Sequence, residues 1–347
     1  MALFSEFPTI TKEEWLAKIE KDLKGKSLES LNWKIHEDWV ISPLAHSKDW
    51  NRKEAAIVKK ENNSWEIGEK IVVKNTSVAN QDALAALEGG VNALLFELPE
   101  SFTPKDFEIL LQGIELEWIS VHFQSDESCA SFLDHLKEKE IDSTKIKGSW
   151  RSKKKEILGQ QAHLPQFKLL SIDGTEHYQG TSQTIEELTQ ILLATNNTLT
   201  QIEPHQVNSL QASVAIGESY FINIAKIRAL KILLYNLLQA YQLKTPLQLE
   251  AHLASASLTN NQHQNMIQMS TQALSAVVGG IDCLFLTPAP DFTTAFTKRI
   301  ARNVQHLLQL ESHLDHVIDP AAGSYYIENL TNEMVKRTWS AFKSKVL

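Results

Sequence analysis

The sequence predicts an α/β protein, a (β/α)8 TIM barrel preceded by an N-terminal helical and extended arm. Two observations carry that expectation. First, short apolar runs rich in β-formers alternate with segments of helical periodicity, at KIVVKN (70–75), NALLFEL (92–98), EWISVHF (117–123), KIKGSW (145–150), KLLSID (168–173), QASVAI (211–216), LEAHLA (249–254) and DCLFLT (282–287). Parallel strands need a crossover between them, usually helical, and eight such units favour a closed barrel over an open doubly wound sheet. Second, LEGGVNALLFEL and VVGGIDCLFLTP both place a Gly-Gly pair between a helix end and a strand start. Glycine takes the left-handed conformation that terminates a helix at no steric cost, so the echo marks repeated units.

Taken in order, residues 9–24 form a helix with Thr9 or Thr11 as candidate caps and Trp15, Ile19 and Leu23 four apart on one face. The aromatic stretch LNWKIHEDWVISPL follows, with Trp33, Trp39 and Ile41 needing a surface to lie against. Phe4 and Phe7 add to that aromatic surface, so residues 1–65 read as an arm and 66–347 as the barrel domain. In residues 218–241, Tyr220, Phe221, Ile224, Ile227, Leu230, Leu234, Leu237 and Tyr241 recur at three- and four-residue spacing, as an outer helix packed on the sheet requires. The stretch VIDPAAGSYYIENLT (317–331) reads as a strand stub, a turn at Pro320–Gly323 and the start of a helix running to about Lys345. Inside the barrel, Phe96, Phe123 and Phe285 are expected to fill the axis in layers.

Composition narrows the function. Of 347 residues, 43% are apolar and 22% charged, with a formal net charge of −8, which argues for an ordinary globular protein and against a nucleic-acid or anionic-membrane surface. The basic run Arg151–Lys155 reads as a solvated face. Cys129 and Cys283 are far apart, so neither a disulfide framework nor a metal site is indicated, and a cytoplasmic location is expected. No apolar run is long enough to span a membrane.

In a barrel, chemistry gathers at the C-terminal ends of the strands, which makes His122, Arg151, Asp173, His177, Tyr178, Glu218, His252 and Thr287 the candidates. None forms a compact motif. His306, His313 and His316 read as surface histidines on a helix and its exit, and no phosphate-binding loop or nucleophile elbow is present.

Four blocks in order, FINIAKIRALKILL (221–234), QALSAVVGGIDCLFLTPAPDF (272–292), KRIARNVQHLLQLESHL (298–314) and DPAAGSYYIENLT (319–331), resemble the methylmalonyl-CoA mutase family of cobalamin-dependent acyl-CoA isomerases. The arm, LFSEFPTITKEEWLAKIEKDLKG with LNWKIHEDWVISPL, is similar to the family's entry arm. The resemblance implies a barrel that holds an acyl-CoA along its axis while a separate domain presents adenosylcobalamin. Departures from the family pattern bear on activity. No tyrosine occurs in residues 42–70, where the catalytic R-G-x-Y-x-x-M-Y run belongs. Tyr178, beside His177, stands at the histidine of S-G-Y-H-M-Q-E-A-G, and Glu250 replaces the arginine of R-T-H-C-Q-T-S-G while His252 is kept. Reversing a charge where an anionic substrate is held replaces attraction by repulsion of several kcal/mol. The cobalamin-binding D-x-H-x-x-G is absent as well.

The resemblance therefore implies a non-catalytic small subunit that pairs with the family's large catalytic subunit, the arm wrapping that partner. No catalytic residue is expected, and adenosylcobalamin is held by the partner and not by this chain. Two alternatives stay open: an active acyl-CoA mutase barrel using His177, Tyr178 and His252 with its cobalamin domain on another chain, and a barrel that binds acyl-CoA without catalysis.

Overall fold

A computed structural model describes residues 10–49, 61–203 and 207–346. The arm begins with α1 (Lys12–Asp22), opened by a capping box in which Glu14 N–H donates to Thr11 Oγ1 at 3.2 Å and Thr11 N–H to Glu14 Oε2 at 2.9 Å. Its Trp15, Ile19 and Leu23 are only half-buried. An antiparallel hairpin follows, β1 (Trp33–His36) and β2 (Trp39–Ile41). Ile35 and Trp39 are buried in the main core, whereas Trp33 stays 40% exposed. Phe4 and Phe7 lie outside the described residues.

The barrel strands are β3 (Glu66–Val72), β4 (Ala93–Glu97), β5 (Ser120–Gln124), β6 (Lys147–Arg151), β7 (Phe167–Lys168), β8 (Leu170–Asp173), β9 (Leu210–Ile216), β10 (Leu247–Leu253) and β11 (Cys283–Phe285). All of their pairings are parallel, in the order β7-β6-β5-β4-β3-β11-β10-β9-β8. β7 and β8 are two pieces of one run interrupted at Leu169, the first paired to β6 and the second to β9. Across that run the sheet closes into an eight-fold barrel, as the spacing of the apolar runs predicts. The first strand starts four residues earlier than KIVVKN suggests, because its inward positions Glu66, Gly68 and Lys70 are not apolar.

Around the sheet lie α2 (Thr76–Glu88), α3 (Pro104–Leu110), α4 (Cys129–Glu138), α5 (Thr184–Leu199), α6 (Tyr220–Ala240), α7 (Gln262–Gly279), α8 (Ala295–His306) and α9 (Tyr325–Val346). After β6 the helix is replaced by a 3-10 turn, Lys155–Gln160. The segment 317–324 is bend and turn, with no strand stub. It is tied to α6 by Arg228, which pairs with Asp319 and, at 2.9 Å, with Glu328. Arg337 of α9 holds the arm: it donates to Asp38 Oδ2 and to the Asp38 carbonyl, both at 3.0 Å, and lies 5.7 Å from the Trp39 ring. The hairpin thus packs on its own barrel.

Period-two alternation decides what faces the axis. Leu95 and Phe285 point inward, into a small cluster with Ala93 and Cys283. Phe96 and Phe123 point outward and belong to the core between sheet and helices, where Phe123 meets Phe132 at 4.8 Å and Trp150 at 5.0 Å. Of the three phenylalanines expected on the axis, only Phe285 is there.

Both Gly-Gly junctions end a helix, and in each the second glycine, Gly90 or Gly280, has φ 84°. They differ in surroundings. A Cβ on Gly90 would stand 2.7 Å from the His306 ring, whose Nε2 is 2.9 Å from the Gly89 carbonyl oxygen, whereas one on Gly280 meets nothing closer than the end of Lys231 at 3.1 Å. Each alanine substitution costs about 1–2 kcal/mol for the left-handed backbone alone. Gly90→Ala should cost more than Gly280→Ala by urea denaturation, since a packed imidazole must also move; equal midpoints would mean that His306 is not a fixed tie.

Candidate functional site

The C-terminal mouth of the barrel carries a polar cluster built by strand alternation. β10 sends Glu250 and His252 inward, β6 sends Ser149 and Arg151, β5 sends His122 and β11 sends Phe285. Arg151, 7% exposed, forms an ion pair with the fully buried Glu250, and its Nη2 lies 3.2 Å from His252 Nε2. The Phe285 ring sits among them: His252 stacks on it at 4.9 Å and 11°, His122 meets it edge-on at 5.7 Å, and the guanidinium carbon is 5.8 Å from its centroid. Gly68 makes the room for Phe285, because a Cβ there would fall 2.5 Å from the ring.

Burial sets the charges. It pulls His252 and His122 well below the usual histidine range, with Arg151 pushing the same way, so both imidazoles are neutral. The Arg151 guanidinium is lowered to about 10 by burial against the opposing pull of Asp173, and so remains a cation at neutral pH. Asp173 accepts from Thr175 N–H at 2.9 Å, Thr175 Oγ1 at 2.6 Å and Ser213 Oγ at 3.0 Å. Burial raises this carboxyl, but the Thr175 bonds and Arg151 outweigh it and hold the acid below its ordinary range.

Above the cluster a cleft of about 750 Å³ opens beside the 3-10 turn that stands in for the missing helix, lined by Arg151, Asp173 and His177 with the acids Glu97, Glu100 and Glu176. Tyr178 does not share it. Its hydroxyl donates to Glu218 Oε2 at 3.0 Å and its ring covers Lys226, with Nζ 4.8 Å from the centroid. Burial, with the Glu218 charge beside it, raises the phenol above its usual range. Lys226 in turn donates to Glu187 Oε2 at 2.9 Å and to the Ala215 carbonyl at 2.6 Å, and both side chains are fully enclosed.

The structure thus brings together Arg151, His252 and His122, places Asp173 and His177 at the rim, and leaves Tyr178 and Glu218 in a separate structural contact. Thr287 lines a small cavity of about 30 Å³ with Gly68, Lys298 and Arg302. Arg151 is no part of a solvated basic face. Three groups escaped sequence reasoning: Glu250 as partner of Arg151, and the Glu187–Lys226 pair. Lys226 had a signal, since it lies four residues from both Ile222 and Leu230 on a face that is otherwise buried. Chemically the cluster offers a neutral imidazole facing a guanidinium that is already paired, and its one hydroxyl–imidazole contact, Ser149 Oγ to His122 Nδ1 at 2.8 Å, is fully enclosed.

A family model described as methylmalonyl-CoA mutase matches residues 149–345. The methylmalonyl-CoA mutase small subunit of Porphyromonas gingivalis is 30% identical, covering 99% of this chain and 64% of that protein. The small subunit of Streptomyces virginiae is 24% identical over 99% of this chain and 64% of its own length. The Porphyromonas gingivalis large subunit is 36% identical over 37% of this chain and 19% of its own. This chain therefore spans less than two thirds of the length of these relatives. No helix among the described residues is long and apolar enough to cross a membrane.

Proposed function

Because this chain belongs to the methylmalonyl-CoA mutase family, we propose that it serves as the small, non-catalytic subunit of that isomerase, contributing to the interconversion of methylmalonyl-CoA and succinyl-CoA in the cytoplasm only through a large catalytic partner. The observation that carries this reading is the Arg151–Glu250 pair lying across the barrel with Phe285 and His252 stacked beside it. An acyl-CoA threading the axis would have to separate a buried ion pair and displace a ring that already touches the backbone of β3. Glu250 does not repel a substrate so much as neutralise the one arginine that could have held it.

The mouth does not fit adenosylcobalamin either. A corrin needs a broad flat face and an axial ligand, whereas the one histidine lining the cleft, His177, stands on a 3-10 turn beside Glu176 and Asp173. The cofactor is therefore assigned to the partner, and no step is routed through it here. The large subunit is the proposed partner, met by the exposed part of the arm, Trp33 and the half-buried stripe of α1, because Trp39 is already spent on the chain's own core.

A second reading, acyl-CoA binding without catalysis, draws on the mouth cleft and its Arg151. Calorimetric titration of the purified chain with succinyl-CoA separates the two: no heat of binding at micromolar ligand is expected, and micromolar affinity would replace the small-subunit reading by the second. Co-expression with a chain carrying a full barrel and D-x-H-x-x-G should yield a one-to-one complex, and failure to co-purify would count against the partner.

A further inference from the structure

Toward the N-terminal ends of the strands, the barrel interior holds a second group of polar side chains that the proposed function does not use and that shares His122 with the mouth cluster. Glu66 opens β3, Cys283 opens β11 and His122 sits mid-way along β5. One ligating atom from each lies within 4.8 Å of the other two. His122 is fully enclosed, and neither its Nε2 nor Glu66 Oε2, 3.9 Å away, has a hydrogen-bond partner among the described residues. A buried polar atom without a partner needs an explanation, and here two face each other.

The other edge of the imidazole is engaged. Nδ1 lies 2.8 Å from Ser149 Oγ and 3.3 Å from Glu250 Oε1. A carboxylate beside Nδ1 favours the tautomer with its proton there, which leaves a lone pair on Nε2, the nitrogen 3.9 Å from Glu66 Oε2. Burial keeps this imidazole neutral, so it cannot supply a compensating charge itself. Among the described residues, no lysine or arginine stands within ion-pair distance of Glu66, although Lys168 and Lys147 are near enough to be felt by it. Burial raises both the Glu66 carboxyl and the Cys283 thiol, so each favours its protonated form in this enclosed space, and a divalent cation would replace those protons.

We propose that Glu66, His122 and Cys283 bind one divalent ion of the zinc class, with the fourth position left to water. Around a tetrahedral zinc at bond lengths of about 2.0–2.3 Å, ligand atoms stand roughly 3.3–3.7 Å apart, so the 3.9 Å between His122 Nε2 and Glu66 Oε2 is too long for a hydrogen bond and close to that of a shared ion. Thiolate, imidazole and carboxylate together select zinc or cobalt over calcium or magnesium. The supporting contacts are in place too: Ser149 and Glu250 at the far nitrogen of His122, and Ser120 donating to Glu66 Oε1. Glu66 is 32% exposed at the start of its strand, which gives the ion an entry from the end of the barrel opposite the mouth. Bound there, it would staple β11 and β3 to β5 across β4, and Cys283, whose thiol burial holds well above its usual range, would release its proton on binding.

The test uses the full chain, freed of metal by a chelator and titrated with cobalt(II) alone. One equivalent should bind, with the visible bands of a tetrahedral site and a near-ultraviolet sulfur-to-cobalt charge-transfer band, and zinc should displace it. Cys283→Ala should abolish the charge-transfer band, and Glu66→Gln should weaken cobalt binding by about 100-fold or more, beyond what supporting contacts contribute. A His313→Ala/His316→Ala double variant, removing the exposed His313–Asp315–His316 cluster, should change neither. The site is overturned if the wild type shows no sulfur band, if the band survives in Cys283→Ala, or if the surface variant alone loses cobalt. Should Cys283→Ala fail to fold by circular dichroism, Glu66→Gln, which keeps shape and hydrogen-bonding capacity, decides: unchanged cobalt affinity there refutes the ligand set.

Discussion

Glu250→Ala is expected to destabilise the barrel by about 3–5 kcal/mol, because it strands the Arg151 guanidinium in an enclosed site with its charge uncompensated. In the parent, burial lowers the guanidinium only to about 10, so at neutral pH Glu250 faces a cation. Arg151→Met should cost a similar amount by stranding the Glu250 carboxylate. The double variant Arg151→Met/Glu250→Leu should recover most of the loss, since a buried pair replaced by apolar groups of similar volume is often neutral. Urea denaturation of the four proteins closes the cycle. A coupling energy below about 1 kcal/mol, the level of an exposed pair, would mean that the guanidinium reaches solvent through the mouth and that the axis is not plugged by it.

The second large effect concerns Lys226→Met. The lysine is the charge partner of the fully buried Glu187, and removing it should cost about 3–5 kcal/mol at neutral pH. The pH dependence follows from Glu187. Burial raises its carboxyl above the ordinary range, and Lys226, by charge and hydrogen bond, holds that rise in check. A raised folded pKa means that the native state holds the proton more tightly than the unfolded chain. Its contribution is complete below the unfolded value of about 4.3 and is lost as pH climbs through the folded one. Without Lys226 the folded value climbs further, so the variant should lose stability steadily from about pH 4.5 towards neutrality while the parent changes less. Thermal melts at pH 5 and pH 7.5 check this; an equal deficit at both would place the cost in packing and in the unsatisfied Ala215 carbonyl, not in the Glu187 charge.

How far the sequence reached depends on what is local. The strands were legible wherever outward residues form an apolar run, as Val121 and Phe123 do in β5. They blurred where a barrel's inward face is polar, as Glu66 and Lys70 are in β3. Helix ends at Gly90 and Gly280 were legible because a left-handed residue is a property of one position. Which way Phe96 and Phe123 point was not, since a one-residue slip of register exchanges the two faces of a strand. The same limit hid the site. Glu250 stands out as a charge reversal, but its partner Arg151 is 99 residues away, and only closure of the barrel brings β6 opposite β10. Tyr178 and His177, adjacent in sequence, go to different surroundings because a 3-10 turn ends between them.

The pairing of β3 with β11 also bears on how the chain is made. Glu66 is in register with Cys283, so the first barrel strand meets its neighbour only after about 200 further residues have left the ribosome, roughly 10–40 s at ordinary elongation rates. Throughout that interval one edge of β3 stays open, next to the already paired β4. An unpaired parallel edge is a template for other nascent chains. Its polar inward residues, Glu66 and Lys70, make that edge a poor site for aggregation during the wait.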